Sequence, residues 1–263
     1  MGLFRRSRQP ILKSAREIEK MARAGRIVIG TLELLCSMMK PGISTLELDK
    51  AAEEYIRSHG GTPTFFQYQV GSKVFPGNIC VSLNEEVVHG IGCEGRLLLA
   101  GDIVSVDVGV TLDGYIGDAA RTWPVGDVSE EARRLMEAAS EALKRSIEQC
   151  VAGNTLADVS GAIENSAKEA GFQVVREYTG HGLGTKLHEP PEIFNYVNPS
   201  AFDRILEVGL TIAIEPMLNA GTWKTTVLKD NWTVVTRDRR LSAHFEDTVA
   251  VTRDGPLVLT ADG

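Results

Sequence analysis

Apolar positions along the first part of the chain recur at helical spacing. From residue 14 to residue 39, apolar side chains return every three or four positions, which predicts one long amphipathic helix. The proline and glycine at residues 41–42 end it. A second helix is predicted to begin at Ser44, because this serine and Glu47 form a capping box, and to end at the glycine pair 60–61. The pattern therefore predicts two consecutive helices.

The second half of the chain repeats this arrangement. An amphipathic helix is predicted over residues 129–151, and a capped helix follows from Thr155 and stops at Gly171. Chance similarity between ordinary helices is the alternative interpretation. We predict a duplicated α+β unit whose halves share a central antiparallel sheet, with the helices on its outer face and a site between the halves. At an offset of 110 residues the matches are Thr45 and Thr155, Leu46 and Leu156, Ala52 and Ala162, Glu54 and Glu164, and Gly61 and Gly171.

Strand patterns follow each helix pair. Residues 103–110 alternate with valines on one face, and residues 115–125 follow an Asp-Gly dipeptide that is typical of a two-residue hairpin turn. Later strands are predicted over residues 210–215 and 241–251. Residues 233–236 are predicted to pair with the last of these strands.

The hairpin turn determines which residues face each other. With residues 113–114 as the loop, Asp118 lies opposite Gly109 and Asp107 lies opposite Ala120. Asp107 and Asp118 are then diagonal neighbours on one face, about 7–8 Å apart at the backbone. Two carboxylates this close repel each other unless a proton or a cation lies between them.

Three more polar side chains interrupt apolar strands or glycine turns. Glu215 ends an apolar strand, Glu246 lies within a strand-like segment, and His181 lies between glycines. Each taken alone is more commonly a solvated, salt-bridged or turn residue. Together with Asp107 and Asp118 they offer four carboxylates and one imidazole, which suit Mn²⁺, Fe²⁺, Co²⁺ or Zn²⁺. Two ions about 3.5–4 Å apart would absorb this negative charge.

Composition and charge narrow the class of protein. The 263 residues are 43% hydrophobic and 24% charged, which is typical of a globular chain rather than a disordered or fibrous one. We find no apolar run near the ~18 residues of a membrane span. The net charge of −7 argues against nucleic acid as the main partner. The scattered cysteines predict reduced thiols rather than a zinc knuckle or a disulfide scaffold.

Seven short segments contain the candidate ligands together with further polar residues. They are residues 84–91 (NEEVVHGI), 102–109 (DIVSVDVG), 117–118 (GD), 180–184 (GHGLG), 188–190 (HEP), 211–217 (TIAIEPM) and 242–246 (SAHFE). Each segment alone is weakly specific, but their order and spacing are very specific. In this combination the chain resembles the type I methionine aminopeptidases, which have the pita-bread fold, from about residue 11 to residue 259.

The resemblance implies a metal centre with two divalent ions, Co²⁺, Mn²⁺, Fe²⁺ or Zn²⁺. Asp107 would bind one ion, and Asp118 and Glu246 would bridge both. His181 and Glu215 would bind the second ion. A bridging hydroxide would attack the carbonyl of the first peptide bond, which releases the N-terminal methionine when the second residue is small.

The resemblance also implies roles for residues that do not bind metal. Glu215 would shuttle a proton, while His89 and His188 would bind the scissile amide and stabilise the oxyanion. Four further residues resemble the lining of the methionine pocket, whose apolar walls suit a thioether. These residues are Phe75, Cys80, Leu187 and Trp232.

The chain departs from the family pattern at three positions. Leu187 stands where phenylalanine is usual, His244 where glutamine is usual, and Asp247 where histidine is usual. If the segment is a strand, His244 shares a face with Glu246, where it would form a hydrogen bond or add positive charge near pH 6–7. Asp247 would point away.

Two other classes share this fold. Prolidases and Pro-specific aminopeptidases have the same ligand set but generally carry an extra N-terminal domain, whereas about 100 residues precede Asp107 here. A non-catalytic or creatinase-like relative would typically lack the ligands. The pattern therefore favours a methionine aminopeptidase.

The resemblance also implies where the protein acts. It predicts a cytoplasmic, monomeric enzyme that meets nascent chains beginning with Met and transiently contacts the ribosome, with no membrane and no specific nucleic-acid partner. Residues 1–10 contain three arginines without an apolar core and predict a basic tail rather than a secretory signal. Residues 11–263 are predicted to form one catalytic domain with pseudo-symmetric halves of about 11–126 and 127–259.

Overall fold

The computed structural model describes residues 9–201 and 203–261. Of the basic tail predicted over residues 1–10, residues 1–8 lie outside the described part. Among the described residues, no helix combines the length and the apolar character that crossing a membrane requires. Four helices lie within the described residues: α1 (Ala15–Met38), α2 (Thr45–Ser58), α3 (Glu130–Glu148) and α4 (Leu156–Ala170).

The two short helices begin with the capping boxes that the sequence predicts. Ser44 is the N-cap of α2 and Thr155 is the N-cap of α4, and each side chain accepts a hydrogen bond from the backbone three residues later. The helix pairs are thus confirmed, but the offset of 110 residues is wrong by one, because the N-caps lie 111 residues apart. Thr45, which the sequence comparison matched to Thr155, is the first residue inside α2 instead.

The strands are short apart from one long hairpin. They are β1 (Thr62–Pro63), β2 (Gln69–Val70), β3 (Lys73–Val74), β4 (Cys80–Leu83), β5 (Glu86–Val88), β6 (Ile103–Leu112), β7 (Tyr115–Pro124), β8 (Gln173–Val174), β9 (Gly180–Gly182), β10 (Glu189–Ile193), β11 (Thr211–Ile214), β12 (Met217–Asn219), β13 (Thr225–Val227), β14 (Val234–Thr236), β15 (Ser242–His244), β16 (Asp247–Thr252) and β17 (Gly255–Val258). All pairings between these strands are antiparallel.

Two sheets, one from each half of the chain, meet beside the site. In the first, β6 pairs with β1, β4 and β7, and in the second the order is β10-β9-β11-β16-β17. The backbones of Ala120 and Glu246 exchange hydrogen bonds of 3.2 and 2.9 Å, which join the two sheets. The predicted α+β class with antiparallel sheets is therefore confirmed.

One predicted pairing is wrong. β14 pairs with β13 and β5 rather than with the strand at residues 242–244, and that strand, β15, pairs with β12. Alternation of apolar and polar residues identifies a strand and its buried face, but it does not identify the strand beside it. The prediction relied on closeness in sequence, which did not determine the pairing. The continuous strand predicted over residues 241–251 is also divided, because β15 ends before Glu246 and β16 begins after it.

Helices cover the sheets on their outer side. The valines of β6 at positions 104, 106, 108 and 110 are fully buried, and they belong to one apolar cluster with Val28, Leu32 and Leu35 of α1. A second cluster packs α3 and α4 against β11, β12 and β16. Each helix pair thus buries its apolar face on strands of its own half, which leaves the opposite side of the sheets for the polar residues.

Candidate active site

The β6–β7 hairpin positions the first two carboxylates. Its register places Asp107 opposite Ala120 and Asp118 opposite Gly109, as the Asp-Gly turn predicts. A hydroxyl from β16 fixes the second aspartate, since Thr248 Oγ1 donates to the Asp118 carbonyl at 2.7 Å and accepts from its N–H at 3.0 Å. The long hairpin therefore holds both carboxylates on one rigid face.

Glycines on either side let His181 approach the carboxylates. β9 lies between β10 and β11, and a Cβ at Gly180 would lie 2.4 Å from the Ala213 carbonyl oxygen. A Cβ at Gly182 would lie 2.4 Å from the Pro190 carbonyl oxygen. Only glycine permits this spacing, which explains why the histidine is set between two of them.

One ring nitrogen of His181 faces the carboxylates. Its Nδ1 lies 3.1 Å from the carbonyl oxygen of Gly182, and because a carbonyl only accepts, Nδ1 carries the proton. Nε2 then presents a lone pair, 3.9 Å from Asp118 Oδ2 and 3.6 Å from Glu215 Oε1. Burial, with a smaller contribution from His188, lowers the pKa of His181 to about 3, so the ring is neutral at neutral pH.

Glu215 and Glu246 lie in the short connections between consecutive strands, and their side chains extend into the site. Glu215 lies between β11 and β12, where Pro216 follows, and Glu246 lies between β15 and β16. The backbone of Glu246 is held on Ala120, and its carbonyl also accepts a hydrogen bond of 2.6 Å from Arg121 Nη1. Both carboxylates therefore project from fixed backbone.

The pKa values of the four carboxyl groups are raised by burial and by their closeness to one another. Burial raises the pKa of Asp107 from its ordinary 3.8 to about 7. Burial, together with the neighbouring Asp107 and Glu215, raises the pKa of Asp118 well above its ordinary value. Burial and nearby carboxylates likewise raise the pKa values of Glu215 and Glu246. The positive charge of Arg121 offsets only part of this effect at Glu246.

Unpartnered oxygens test whether these residues fit a divalent metal. Asp107 Oδ1, Asp118 Oδ1 and Glu246 Oε1 are buried, and none accepts a hydrogen bond from the described residues. Buried polar atoms are rarely left in this state unless an ion or water satisfies them. Ligand atoms of Asp118, His181 and Glu246 lie within 4.8 Å of one another, and so do those of Glu215, His244 and Glu246. The donor set fits hard or borderline divalent cations.

Two further histidines border the carboxylates. The ring centroids of His181 and His188 are 4.4 Å apart, and Tyr68 Oη lies 2.5 Å from His188 Nδ1. His89 has a positive φ of 61° and lies edge-on to Tyr178 and Trp232. Burial lowers the pKa of His89 to about 4, so this imidazole is neutral at neutral pH.

An open cavity of about 1500 Å³ joins these groups to an apolar recess. Its lining includes all eleven residues that the sequence predicts for the site: the candidate ligands Asp107, Asp118, His181, Glu215 and Glu246, the histidines His89 and His188, and the apolar side chains Phe75, Cys80, Leu187 and Trp232. Phe75, Cys80 and Leu187 are buried in one apolar cluster, and Trp232 packs edge-on to Phe75 at 5.2 Å between ring centroids. The structure thus brings every candidate site residue to one cavity.

Sequence reasoning missed two contributors. Phe65 and Tyr68 line the same cavity, yet neither lies in a recognisable motif. Tyr68 reaches His188 across 120 positions of sequence, and no local pattern signals that contact. His244, which the sequence predicts to share a face with Glu246, has its Nε2 3.7 Å from Glu246 Oε2 but forms no hydrogen bond there with any described residue. Burial lowers the pKa of His244 to about 3, so the predicted positive charge near pH 6–7 is wrong.

Nearly the whole chain is similar in sequence to a family of metallopeptidases. Residues 19–253 match the model of metallopeptidase family M24. A methionine aminopeptidase of Clostridium acetobutylicum is 45% identical over 250 residues, which cover 95% of this chain and 98% of the relative. Methionine aminopeptidase 1 of Bacillus subtilis is 47% identical over 250 residues, with the same coverage of 95% and 98%.

Solved structures show the same architecture. The crystal structure of a methionine aminopeptidase from Thermotoga maritima superimposes with a TM-score of 0.91 at 38% identity, covering 97% of this chain and 100% of that one. An Xaa-Pro dipeptidase from Bacillus anthracis has a TM-score of 0.76 at 24% identity, and the match covers 97% of this chain but 63% of that one. The second match shows the shared fold alone. The predicted pita-bread fold is confirmed.

Proposed function

The chain belongs to metallopeptidase family M24, and from this premise we propose that it is a metal-dependent aminopeptidase that removes an N-terminal methionine. The observation that carries the proposal is the convergence of five candidate metal ligands and an apolar recess on one cavity. The relatives named methionine aminopeptidase, which align over 95% of this chain, support the substrate. A preference for a small second residue is part of the proposal.

Five residues would hold the metal in this proposal. Asp107 would bind one ion, Asp118 and Glu246 would bridge two, and His181 and Glu215 would bind the second. The buried, unpartnered oxygens of Asp107, Asp118 and Glu246 support this assignment. When bound, divalent ions would polarise the peptide carbonyl and lower the pKa of the attacking water. Co²⁺, Mn²⁺, Fe²⁺ and Zn²⁺ all suit the donor set.

The proton and the developing charge would be handled by the chain's own groups. Glu215 would accept the proton of the attacking water and deliver it to the leaving amine, since burial and the neighbouring Glu246 and Asp107 raise the pKa of its carboxyl well above the ordinary value and make it a better proton acceptor. His89 and His188 would donate N–H hydrogen bonds to the scissile amide and to the oxyanion. A neutral His89 can donate in this way without a full charge in the cavity.

The apolar recess would hold the methionine side chain. Phe75, Cys80, Leu187 and Trp232 surround it, and the Trp232 indole is fixed because its Nε1 donates to the Val74 carbonyl at 3.2 Å. Burial raises the pKa of the Cys80 thiol well above its ordinary value, so Cys80 acts as an apolar wall rather than a nucleophile.

The proposal is tested with metal-free protein reloaded with Mn²⁺, Co²⁺, Fe²⁺ or Zn²⁺. We expect metal-dependent release of methionine from Met-Ala-Ser, slower release from a peptide with leucine in second place, and no cleavage of Leu-Ala-Ser. Cleavage of Ala-Pro-Ser alone would move the chain to the prolidase type of activity.

Substitutions of two ligands complete the test. Asp107→Ala and His181→Ala are expected to lower kcat/KM at least about 100-fold while the chain stays folded, because an ion loses a direct ligand. The matched control is Asp113→Asn, which changes an exposed carboxylate on the same hairpin and keeps a turn-forming residue. Full activity of either ligand variant, or an equal loss in the control, would contradict the metal assignment.

Finer aspects of the function are proposed on the same basis. We propose that residues 11–263 form one catalytic domain, and that the enzyme is monomeric and acts in the cytoplasm on nascent chains at the ribosome. The bacterial methionine aminopeptidases to which it is similar support this setting. Sedimentation of the protein with and without ribosomes tests the association and the oligomeric state together.

A further inference from the structure

His244 is a buried histidine that the proposed chemistry leaves unused. It ends β15 and is 2% exposed. Its Nε2 atom is buried and makes no hydrogen bond to any described residue. The same atom lies 3.7 Å from Glu215 Oε2 and 3.7 Å from Glu246 Oε2. An imidazole nitrogen is therefore aimed between two carboxylates without bonding to either.

These distances are those of ligands that share an ion. A direct N–H···O hydrogen bond has a donor–acceptor distance of about 2.7–3.2 Å, so 3.7 Å is too long for one. Nitrogen and oxygen atoms that each lie about 2.1 Å from one ion are roughly 3–4 Å apart. His181, a proposed ligand, stands 3.6 Å and 3.9 Å from its own carboxylate neighbours. The two histidines thus face the carboxylates at matching separations.

The backbone holds His244 in this position. Its N–H donates to Thr122 Oγ1 at 3.0 Å, and its carbonyl accepts from the same hydroxyl at 2.7 Å. Its strand pairs with β12, where His244 lies opposite Met217, two residues after Glu215. Glu246 is fixed two residues along on Ala120. The three side chains therefore converge from anchored backbone rather than from a mobile loop.

We propose that His244 Nε2 is a nitrogen ligand of the metal centre, binding an ion together with Glu215 and Glu246. This proposal rests on the proposed metallopeptidase function and adds a sixth protein ligand to it. A second imidazole makes the donor set softer, so this site should favour Zn²⁺, Co²⁺ or Fe²⁺ over Mn²⁺ more than a site with one histidine does. The alternative role, a hydrogen bond from His244 to Glu215, is an outcome that the test must separate.

The test measures metal binding directly, without peptide. Metal-free protein is titrated with Co²⁺ and followed by visible absorption and by calorimetry, in the wild type, His244→Gln and the control His59→Gln, which changes an exposed histidine at the end of α2. Glutamine keeps a hydrogen-bond donor but replaces the imidazole nitrogen. We expect His244→Gln to weaken binding of one Co²⁺ about tenfold or more and to change the absorption spectrum, while His59→Gln leaves both unchanged. A His244→Gln variant with wild-type affinity and spectrum would overturn the proposal.

A second measurement needs no variant. In wild-type protein carrying ¹⁵N-histidine and loaded with ¹¹³Cd²⁺, we expect two imidazole nitrogens, those of His181 and His244, to show coupling to cadmium. Coupling at a single histidine would overturn the proposal even if His244→Gln failed to fold. Neither measurement depends on turnover. If the protein proved to have no peptidase activity, the two measurements would still show whether His244 binds the metal.

Discussion

At the scale of single residues, the site depends on carboxyl groups that are buried before any ion binds. Asp118 and Glu246 are each 2% exposed, and each has an oxygen without a hydrogen-bond partner in the described part of the chain. Keeping such groups ionised costs free energy, so burial raises the pKa values of both, and it raises the pKa of Asp107 to about 7. Because metal ions bind the ionised carboxylates, metal binding displaces the protons that these groups hold.

This displacement predicts how metal affinity depends on pH. The folded pKa of Asp107, about 7, exceeds its ordinary 3.8, so this group stabilises the metal-free fold below pH 4 and loses that contribution as pH rises through 7. We expect Mn²⁺ to raise the melting temperature more at pH 8 than at pH 6, and its affinity to fall about tenfold per pH unit per proton below pH 7. Calorimetry in buffers of different ionisation enthalpy counts the protons released.

Asp107→Asn is the control for the proton count. The variant removes one carboxyl that must deprotonate, so it should release fewer protons at pH 6 and bind Mn²⁺ more weakly at every pH. An affinity that does not vary between pH 6 and pH 8 in the wild type would show that the carboxylates are already ionised in the metal-free protein.

At the scale of elements, the backbones of α1 and the β6–β7 hairpin are in close contact through glycines. A Cβ at Gly117 would lie 2.6 Å from the backbone nitrogen of Gly25, and a Cβ at Gly25 would lie 2.0 Å from the carbonyl oxygen of Leu259. Both obstacles are backbone atoms, which cannot move aside as a flexible side chain can. Asp118 follows Gly117 directly, so this contact also helps to place a proposed ligand.

Gly117→Ala is therefore expected to destabilise the protein by about 1–3 kcal/mol through overpacking. Gly161→Ala provides the matched control, because that glycine is inside α4 and an added Cβ would meet only Val197, at an ordinary 3.6 Å. The control should be neutral or more stable by up to about 1 kcal/mol. Urea unfolding of the two variants measures the difference, and equal stabilities would refute the close-contact argument.

At the scale of the whole molecule, a buried ion pair ties the start of the described chain to the second half. Lys13 Nζ lies 2.5 Å from Glu189 Oε2, with side chains 4% and 2% exposed. The other carboxylate oxygen, Oε1, accepts hydrogen bonds from the N–H groups of Thr185 and Lys186, at 3.1 and 3.2 Å. The pair thus anchors the loop that leads to His188, the residue next to Glu189.

Lys13→Met is expected to cost about 3–5 kcal/mol, because it leaves the Glu189 carboxylate buried and unpaired. The double variant Lys13→Met/Glu189→Gln should recover part of that loss, since no buried charge remains. Lys50→Met, at an exposed position, should change stability by less than about 0.5 kcal/mol. Denaturant unfolding compares the three proteins, and a Lys13→Met variant as stable as Lys50→Met would rule out the anchor.

Local structure was determined by the sequence itself. Capping boxes and tight turns form between residues only a few positions apart, so the sequence alone predicts them. Examples are the capping boxes at Ser44 and Thr155 and the Asp-Gly turn between β6 and β7. The hairpin register then placed Asp107 and Asp118 together. The other candidate ligands, Glu215, Glu246 and His181, stood out as polar residues within apolar strands or between glycines, and the resemblance to a family then assigned their roles.

Only the tertiary structure decided which distant segments meet. The partner of β14, the contact of Tyr68 with His188 and the pair of Lys13 with Glu189 join residues far apart in sequence, with separations of 120 and 176 positions for the last two. Alternation gave His244 a face, but its distance from Glu215 depends on the pairing of β15 with β12. Such contacts depend on how whole helices and strands pack. The hydrophobic effect favours burial of an apolar face but does not specify which other element covers it.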